Sequence, residues 1–174
     1  MKTILPLTLL FSLSTTSVFA ANGTITFTGS VTDKSCDITT AKGKDFTVAL
    51  PPVSKTTLKA NGDIAGRTQF VIQLANCTPA KVATYFEPGP TVDAATGRLN
   101  NQLTTNAAAN VQIQLLGSNF GFIPVISGTQ PNSQWVDVIQ NGGALLNYYA
   151  EYYAVGASTA GQVSTSVQYT IIYQ

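Results

Sequence analysis

Hydrophobic and polar side chains alternate with a period of two along five stretches of this 174-residue chain. Alternation of this kind predicts β-strands that bury one face. The stretches are residues 24–31, 46–49, 70–77, 111–115 and 163–173. Turn signals separate them at residues 61–63, 88–90, 96–98 and 141–143, and the Ala/Asn/Thr-rich residues 104–110 predict a loop or one helical turn. The pattern therefore predicts an all-β chain, and its spacing is typical of an immunoglobulin-like β-sandwich.

The composition indicates a sheet protein with uncharged faces. Charged residues make up 10% of the chain, whereas about a quarter is usual in globular proteins. The formal net charge is +1, and the sequence has no basic stripe or Lys/Arg cluster. We therefore expect no nucleic acid and no anionic membrane surface among its partners.

The first twenty residues are typical of a secretory signal peptide. Lys2 supplies the positive charge, residues 4–13 supply a short apolar stretch, and residues 18–20 place small side chains where a signal peptidase reads them. A transmembrane helix is the alternative, but it needs about 20 apolar residues to cross the hydrocarbon core. We therefore predict cleavage after Ala20 and export of the remaining chain.

Cys36 and Cys77 are the two cysteines of the sequence. An even number in an exported protein predicts one disulfide bond, which would close a loop of about forty residues. A metal-binding or redox pair is the alternative, but the sequence has no C-x-x-C motif and no histidine. We expect neither a metal nor another cofactor.

The alternating runs near the two ends of the exported chain each allow two interpretations. Residues 21–33 precede the first cysteine and carry Gly29 in the middle of their apolar face. They are either the first strand of the sandwich, with a bulge at Gly29, or a detachable arm whose glycine fits a shallow part of a partner's groove. Residues 163–173 are either a core strand or a strand whose edge is recognised by an assembly factor. The pattern alone leaves both choices open.

Several segments, taken in order, carry a family resemblance. They are residues 23–31 leading to Cys36, residues 48–54, residues 70–74 leading to Cys77, and residues 111–115, 149–154 and 161–173. The more specific markers are Gly161, the fourteenth residue from the end, and Tyr173, the penultimate residue. Behind a signal peptide, these features make the chain resemble the type 1-like pilins of the chaperone–usher pathway.

The resemblance implies an incomplete immunoglobulin-like β-sandwich, the pilin fold, with a detached N-terminal donor strand. It divides the chain into a signal peptide (1–20), a donor-strand extension (21–33) and a pilin domain (34–174). The groove left by the missing strand is filled first by a periplasmic chaperone and then, at an outer-membrane usher, by the donor strand of the next subunit. The implied product is a linear homopolymer of neighbouring pilin subunits, a fimbrium on the cell surface, whose tip adhesin contacts a host receptor.

The resemblance also implies roles for particular residues. Cys36 and Cys77 would form the family disulfide. The donor-strand residues that face the groove would be Gly23, Ile25, Phe27, Gly29 and Val31. The edge bound by the chaperone, and later by the donor strand, would carry Gly161, Val163, Thr165, Val167, Tyr169, Ile171 and Tyr173.

Other functions have less support in the sequence. We expect no enzyme and assign no catalytic residue, because histidine is lacking and the acidic residues are scattered singly. A carbohydrate-binding, lectin-like module is one alternative, since a sugar-binding surface would use aromatic side chains such as Trp135, Tyr148, Tyr149, Tyr152 and Tyr153. A minor or adaptor subunit of a pilus is another. A single domain with its own arm favours a structural subunit over a tip adhesin.

Overall fold

The computed structural model describes residues 22–41 and 43–174. The predicted signal peptide at residues 1–20, its cleavage site and Ala21 lie outside the described residues. Within the described ranges, no helix has the length and apolar character needed to cross a membrane. The chain divides into two units, one ending at Val31 and the other spanning Thr32–Gln174.

Antiparallel β-sheet makes up most of the second unit. Its described residues form nine strands and one 3-10 helix, Lys55–Thr57. The strands are β1 (Asp37–Ile38), β2 (Ile64–Cys77), β3 (Ala80–Glu87), β4 (Leu99–Asn100), β5 (Val111–Leu116), β6 (Phe122–Ile123), β7 (Val136–Val138), β8 (Gly142–Ala154) and β9 (Gln168–Tyr173). One sheet has the order β1-β2-β8-β5-β4, with β6 paired to β5, and the other has the order β7-β3-β9.

The two sheets enclose a hydrophobic core. Side chains from both sheets are buried there, among them Ile72 and Leu146 in the first sheet and Val82 and Phe86 in the second. Phe86 packs edge-on against Tyr148, with ring centroids 5.1 Å apart. This arrangement confirms the predicted all-β fold with two packed sheets.

A disulfide bond fixes the entry of the chain into the first sheet. It joins Cys36, just before β1, to Cys77 at the end of β2. The short strand β1 pairs with the same end of β2. The covalent bond and the ladder therefore hold this corner of the sandwich together.

Two predicted strands coincide with observed ones. Residues 70–77 lie within β2, which begins earlier, at Ile64, and residues 111–115 lie within β5. Residues 104–110 form a loop without a helical turn. The alternation finds these two strands because polar and apolar residues alternate along them, although β5 is buried on both faces and its polar Gln112 and Gln114 are buried as well.

The strands β3 and β8 were not predicted from the alternation of polar and apolar residues. In β3 the successive residues Val82, Ala83 and Thr84 are all buried, so polar and apolar positions do not alternate. In β8 the outward-facing positions include Leu145 and Tyr149, and these apolar side chains hide the period of two.

Two predicted runs belong to no strand, namely residues 24–31 and 46–49. The predicted run 163–173 is confirmed in part, since β9 covers Gln168–Tyr173 and residues 163–167 belong to no strand. Half-buried and exposed side chains still alternate along 46–50 and 163–167. A strand also needs a neighbouring edge within hydrogen-bonding distance. The predicted strands are therefore not formed over these residues in the single chain.

Candidate binding groove

An open, elongated groove with a volume of about 1320 Å³ lies between two extended segments of the second unit. We call residues 46–53 the first wall and residues 161–169 the second wall. Apolar side chains of both sheets form the floor between them. These floor residues are Phe70, Ile72, Phe86, Leu99, Val111, Ile113, Leu115, Ala150 and Tyr152.

The second wall presents alternate side chains to the groove. Val163, Thr165, Val167 and Tyr169 are half-buried, whereas the residues between them are exposed. From Gln168 onward the wall continues as β9, which is the edge strand of its sheet. The outer edge of β9 is therefore able to pair with a further strand.

The structure brings five of the seven predicted edge residues to the groove. Gly161 lines it together with the four alternating side chains of the second wall. Ile171 and Tyr173 lie further along β9, where they are half-buried and pack against the hydrophobic core.

The second wall begins where Gly161 packs against the backbone of a neighbouring loop. A Cβ atom at this position would lie 2.7 Å from the carbonyl oxygen of Ala107 and still closer to the amide nitrogen of Ala108. Main-chain hydrogen bonds hold the wall to the same loop, from Gln162 N to Asn106 O at 2.6 Å and from Ala108 N to Gln162 O at 2.9 Å. Glycine fits here because it lacks a Cβ atom.

The first wall is held by side chains rather than by backbone pairing. Phe46 and Leu50 are half-buried and pack against the core, and the intervening Thr47 and Ala49 are exposed. Among the described residues, the backbone groups of residues 45–53 form no hydrogen bond with another backbone group. This wall therefore offers the groove a second unpaired edge.

The two walls, or the chain segments that continue them, are in contact at both ends of the groove. At one end the Tyr169 hydroxyl donates a hydrogen bond to the carbonyl oxygen of Lys44 at 2.8 Å, and its ring lies 6.5 Å from that of Phe46. At the other end the Ser158 amide donates to the carbonyl oxygen of Leu58 at 2.9 Å. The second wall has nine residues, and the eight steps from Gly161 to Tyr169 span about 26 Å at about 3.3 Å per step.

Two tyrosines of the groove keep their hydroxyl groups neutral. Burial raises the pKa of the Tyr152 hydroxyl above its ordinary value of 10.0. Burial also raises the pKa of the Tyr169 hydroxyl, and the negative charge of Asp45 adds to the effect. The two phenol groups are therefore uncharged at physiological pH, and their rings are suited to contact with apolar side chains.

The predicted arm residues belong to the first unit. Residues 22–31 form no strand. The relative solvent-accessible surface areas of Ile25, Phe27 and Val31 are 80%, 89% and 103%, so all three are almost fully exposed. Gly23 and Gly29 have no atom within 4 Å of the position that a Cβ atom would take. Large apolar side chains are rarely left so exposed in a folded protein, so this face calls for a binding partner.

The aromatic residues considered for sugar binding are dispersed. Tyr148 is buried in the core and Tyr152 lines the groove floor. Tyr149 contacts the ring of Phe120, and Tyr153 lies under the guanidinium group of an arginine, on the opposite face of β8. These tyrosines therefore do not form one surface.

The sequence pattern did not indicate that the first wall and the floor belong to the binding groove. The signal for the first wall was present, because Phe46 and Val48 alternate with polar or small residues before the prolines at 51 and 52. The pattern could not show that this segment faces residues 161–169 across a groove, since the two are far apart in the chain.

Comparisons with known proteins agree with one another. A family model described as "FimA: Type-1 fimbrial protein, A" matches residues 50–174. The "Major fimbrial subunit SMF-1" of Stenotrophomonas maltophilia (strain K279a) is 60% identical over 158 residues, which cover 88% of this chain and 94% of that protein. The "F17 fimbrial protein" of Escherichia coli is 42% identical over 174 residues, covering 95% of each.

Solved structures show the same fold. The P pilus rod subunit PapA gives a TM-score of 0.60 at 24% identity, covering 80% of this chain and 99% of that chain. A chain from a chaperone–usher pilus gives a TM-score of 0.58 at 24% identity, covering 92% and 100%. These likenesses confirm the predicted immunoglobulin-like, incomplete sandwich.

Proposed function

Because this chain belongs to the family of type-1 fimbrial proteins, we propose that it polymerises by donor-strand exchange, with residues 21–33 of one subunit lying in the groove of the next. The chain is a structural subunit of a fimbria on the cell surface, joined to neighbouring pilins, and not an enzyme. The observation that carries the proposal is the apolar groove bordered by two unpaired backbone edges.

The arm and the groove have complementary side chains. Ile25, Phe27 and Val31 are exposed in the first unit, and the groove floor offers them apolar side chains of both sheets. Burying each contributes about 1.5 to 3 kcal/mol, so the three together contribute about 5 to 9 kcal/mol as an upper estimate. This burial favours association of two subunits.

The arm and the groove also have complementary backbones. An extended arm between the walls can pair with the edge of β9 on one side and with the first wall on the other. Strand addition of this kind satisfies backbone groups that are otherwise unpaired. Because the donor and the acceptor are different surfaces of the subunit, the contact does not close on itself, and an open filament results.

The exposed groove supports the proposal that assembly uses two further factors. An apolar groove beside an open sheet edge is an aggregation hazard in a subunit that has not yet polymerised. We assign protection of the groove to a periplasmic chaperone, which lends a strand to the edge at residues 161–173, and replacement of the chaperone strand by the arm to an outer-membrane usher. Export to the periplasm is assigned to a signal peptide at residues 1–20.

The proposed domain organisation is an arm at residues 21–33 and a pilin domain at residues 34–174. The division of the chain after Val31, two residues before the proposed boundary, supports it, as does the disulfide at Cys36, which lies near the start of the second unit. The 60% identity to a major fimbrial subunit supports a shaft role rather than a minor or adaptor role. Contact with a host receptor is left to a separate tip adhesin.

The experiment removes residues 21–31 from the full-length chain and keeps the signal peptide. The truncated subunit has a groove but no arm, so it should accept an arm without donating one. Expressed alone, it should form no filaments. When it carries an epitope tag and is expressed with untagged wild-type subunits, it should appear at no more than one end of each filament, as seen by immunogold labelling.

Two outcomes contradict the proposal. One is normal filament formation by the truncated subunit alone. The other is labelling of truncated subunits along the length of mixed filaments, since an internal subunit must donate an arm.

A further inference from the structure

The sequence contains three Asn-Gly pairs, which begin at Asn22, Asn61 and Asn141. Asparagine is one of the chemically labile residues. A following glycine makes it more reactive, because a main chain without a Cβ atom can approach the asparagine side chain closely. Since the three pairs share this chemistry, the surroundings of each pair decide how readily it reacts.

The reaction at an Asn-Gly pair is deamidation, and its only co-reactant is water. The main-chain nitrogen of the glycine gives up its proton and attacks the asparagine Cγ atom, so an N–Cγ bond forms and the bond from Cγ to the side-chain nitrogen breaks. That nitrogen leaves with the proton as ammonia, and a succinimide ring remains. Water then opens the ring to aspartate or isoaspartate. The glycine nitrogen must therefore be free to move and to lose its proton.

Both Asn-Gly pairs of the second unit hold the glycine nitrogen in a main-chain hydrogen bond. The Gly62 amide donates to the carbonyl oxygen of Ala154 at 3.0 Å, and the Gly142 amide donates to the carbonyl oxygen of Ile139 at 2.8 Å. Gly142 is also the first residue of β8, so its movement would disturb a strand. Attack at either pair first has to break a hydrogen bond, which slows the reaction.

The pair Asn22-Gly23, in the arm, lacks this protection in the first unit. Both residues are exposed, and no atom lies within 4 Å of the position that a Cβ atom of Gly23 would take. Among residues 22–41 and 43–174, the Gly23 amide has no backbone carbonyl group as a hydrogen-bond partner. The Gly23 nitrogen is therefore free to attack the side chain of Asn22.

We infer that Asn22 is a site of spontaneous deamidation in subunits whose arm is not docked, and that docking protects it. The protection rests on the proposed donor-strand exchange. In that complex residues 21–33 lie between two unpaired backbone edges, so their main-chain amides gain hydrogen-bond partners. The extent of deamidation at Asn22 then records how long an arm has remained outside a groove.

The product of the reaction is easy to recognise in this arm. Residues 22–31 carry no charged side chain, so the new carboxylate is the first charge in that stretch. Asn22 is also the only asparagine or glutamine between residues 21 and 35. A gain in mass by a peptide from this segment, when an amide becomes a carboxyl group, therefore reports the reaction at Asn22 alone.

The test compares unassembled subunits recovered from the periplasm with filaments sheared from the cell surface. Both are incubated at mildly alkaline pH, digested with pepsin in acid and analysed by mass spectrometry, with one peptide for each Asn-Gly pair. In unassembled subunits Asn22 should deamidate at least about tenfold faster than Asn61 and Asn141, the factor that corresponds to one main-chain hydrogen bond. In filaments the rate at Asn22 should fall by about the same factor.

Asn22→Gln is the matched control. Glutamine keeps the amide group but adds a methylene to the side chain, so the ring that must close is larger and forms much more slowly. The arm peptide of this variant should gain no mass over the period in which the wild-type peptide reacts. Circular dichroism before and after the incubation verifies that the unassembled subunits remain folded.

Two results would contradict different parts of the inference. In folded, unassembled subunits, a reaction at Asn22 that is no faster than at Asn61 and Asn141 would overturn the site and leave donor-strand exchange untouched. A reaction at Asn22 that is equally fast in subunits and in filaments would overturn the protection by docking, and would count against the proposed place of residues 21–33 in the groove.

Discussion

The phenolic oxygen of Tyr173 accepts a hydrogen bond from the backbone amide of Cys36, at a distance of 3.0 Å. Tyr173 is the last residue of β9, and Cys36 is bonded through sulfur to Cys77 at the end of β2. The contact therefore ties the end of the edge strand to the disulfide corner of the other sheet. The strand that borders the groove is thereby anchored at its far end.

Tyr173→Phe removes this contact while keeping the ring. We expect the free energy of unfolding to fall by about 1 kcal/mol, because the Cys36 amide loses a partly buried acceptor. Guanidinium unfolding of purified filaments measures the change. Tyr85→Phe is the control, because the Tyr85 hydroxyl lies 3.4 Å from the Ile126 carbonyl oxygen in an exposed contact. Loss of that hydroxyl should lower the free energy of unfolding by less than Tyr173→Phe does. Equal midpoints for wild type and Tyr173→Phe would contradict the anchoring role.

Gly161→Ala places a methyl group where the backbone of Ala107 and Ala108 already lies. The second wall must then move away from the loop, which we expect to destabilise the subunit by about 1 to 3 kcal/mol. The yield of folded subunit in the periplasm measures the effect. Gly156→Ala is a suitable control, because its nearest neighbour would be a side-chain atom of Asn110 at an ordinary 3.5 Å. A yield equal to that of the control would show that the wall tolerates the displacement.

Gly29→Leu tests the arm without touching the groove. A Cβ atom added at Gly29 would have open space around it in the first unit, so the variant subunit should fold as the wild type does. The added side chain should prevent the arm from approaching the second wall, and filament formation should fail. Ser30→Leu adds the same bulk at the neighbouring position, on the other face of the alternating arm, and should still permit assembly. Filaments of Gly29→Leu at wild-type abundance would refute a close approach at this residue.

Alkaline pH should weaken the folded subunit through two groove tyrosines. Because the pKa values of Tyr152 and Tyr169 are raised above 10.0 in the folded chain, the unfolded chain loses these protons first as the pH rises. Stability is therefore unaffected by these groups below about pH 10 and falls as the pH rises through the raised pKa values. Unfolding midpoints across this range should drop less steeply for Tyr152→Phe than for wild type. Identical slopes for Tyr152→Phe and wild type would show that Tyr152 does not contribute to the loss of stability at alkaline pH.

The sequence pattern predicted the strands in which polar and apolar residues alternate and failed elsewhere. Residues 111–115 alternate although β5 is buried on both faces, because its buried Gln112 and Gln114 have hydrogen-bond partners. Thr84 in β3 and Leu145 in β8 interrupt the alternation, since one is a buried polar residue and the other an exposed apolar one. A period of two in the sequence reflects the polarity of residues and not their burial, so it does not predict these strands.

The groove could be predicted only in part. Gly161 and Tyr173 were marked by resemblance, but the packing of Gly161 on Ala107 and the bond from Cys36 to Tyr173 are contacts between distant parts of the chain. The same holds for the ion pair between Arg67 and the buried Glu151, with Nε to Oε2 at 2.7 Å. No local pattern pairs such residues, because their proximity follows from the order of the strands in the sheets.

The open edge of β9 has a mechanical consequence. Hydrogen bonds between antiparallel strands lie perpendicular to the strand direction, and β9 follows the long axis of the groove. When a donor strand is paired with this edge, as we propose, a pulling force along that axis acts on every such bond simultaneously, so rupture requires one concerted sliding step. Fluid shear on an attached cell would then meet a joint far stronger than one that peels open bond by bond.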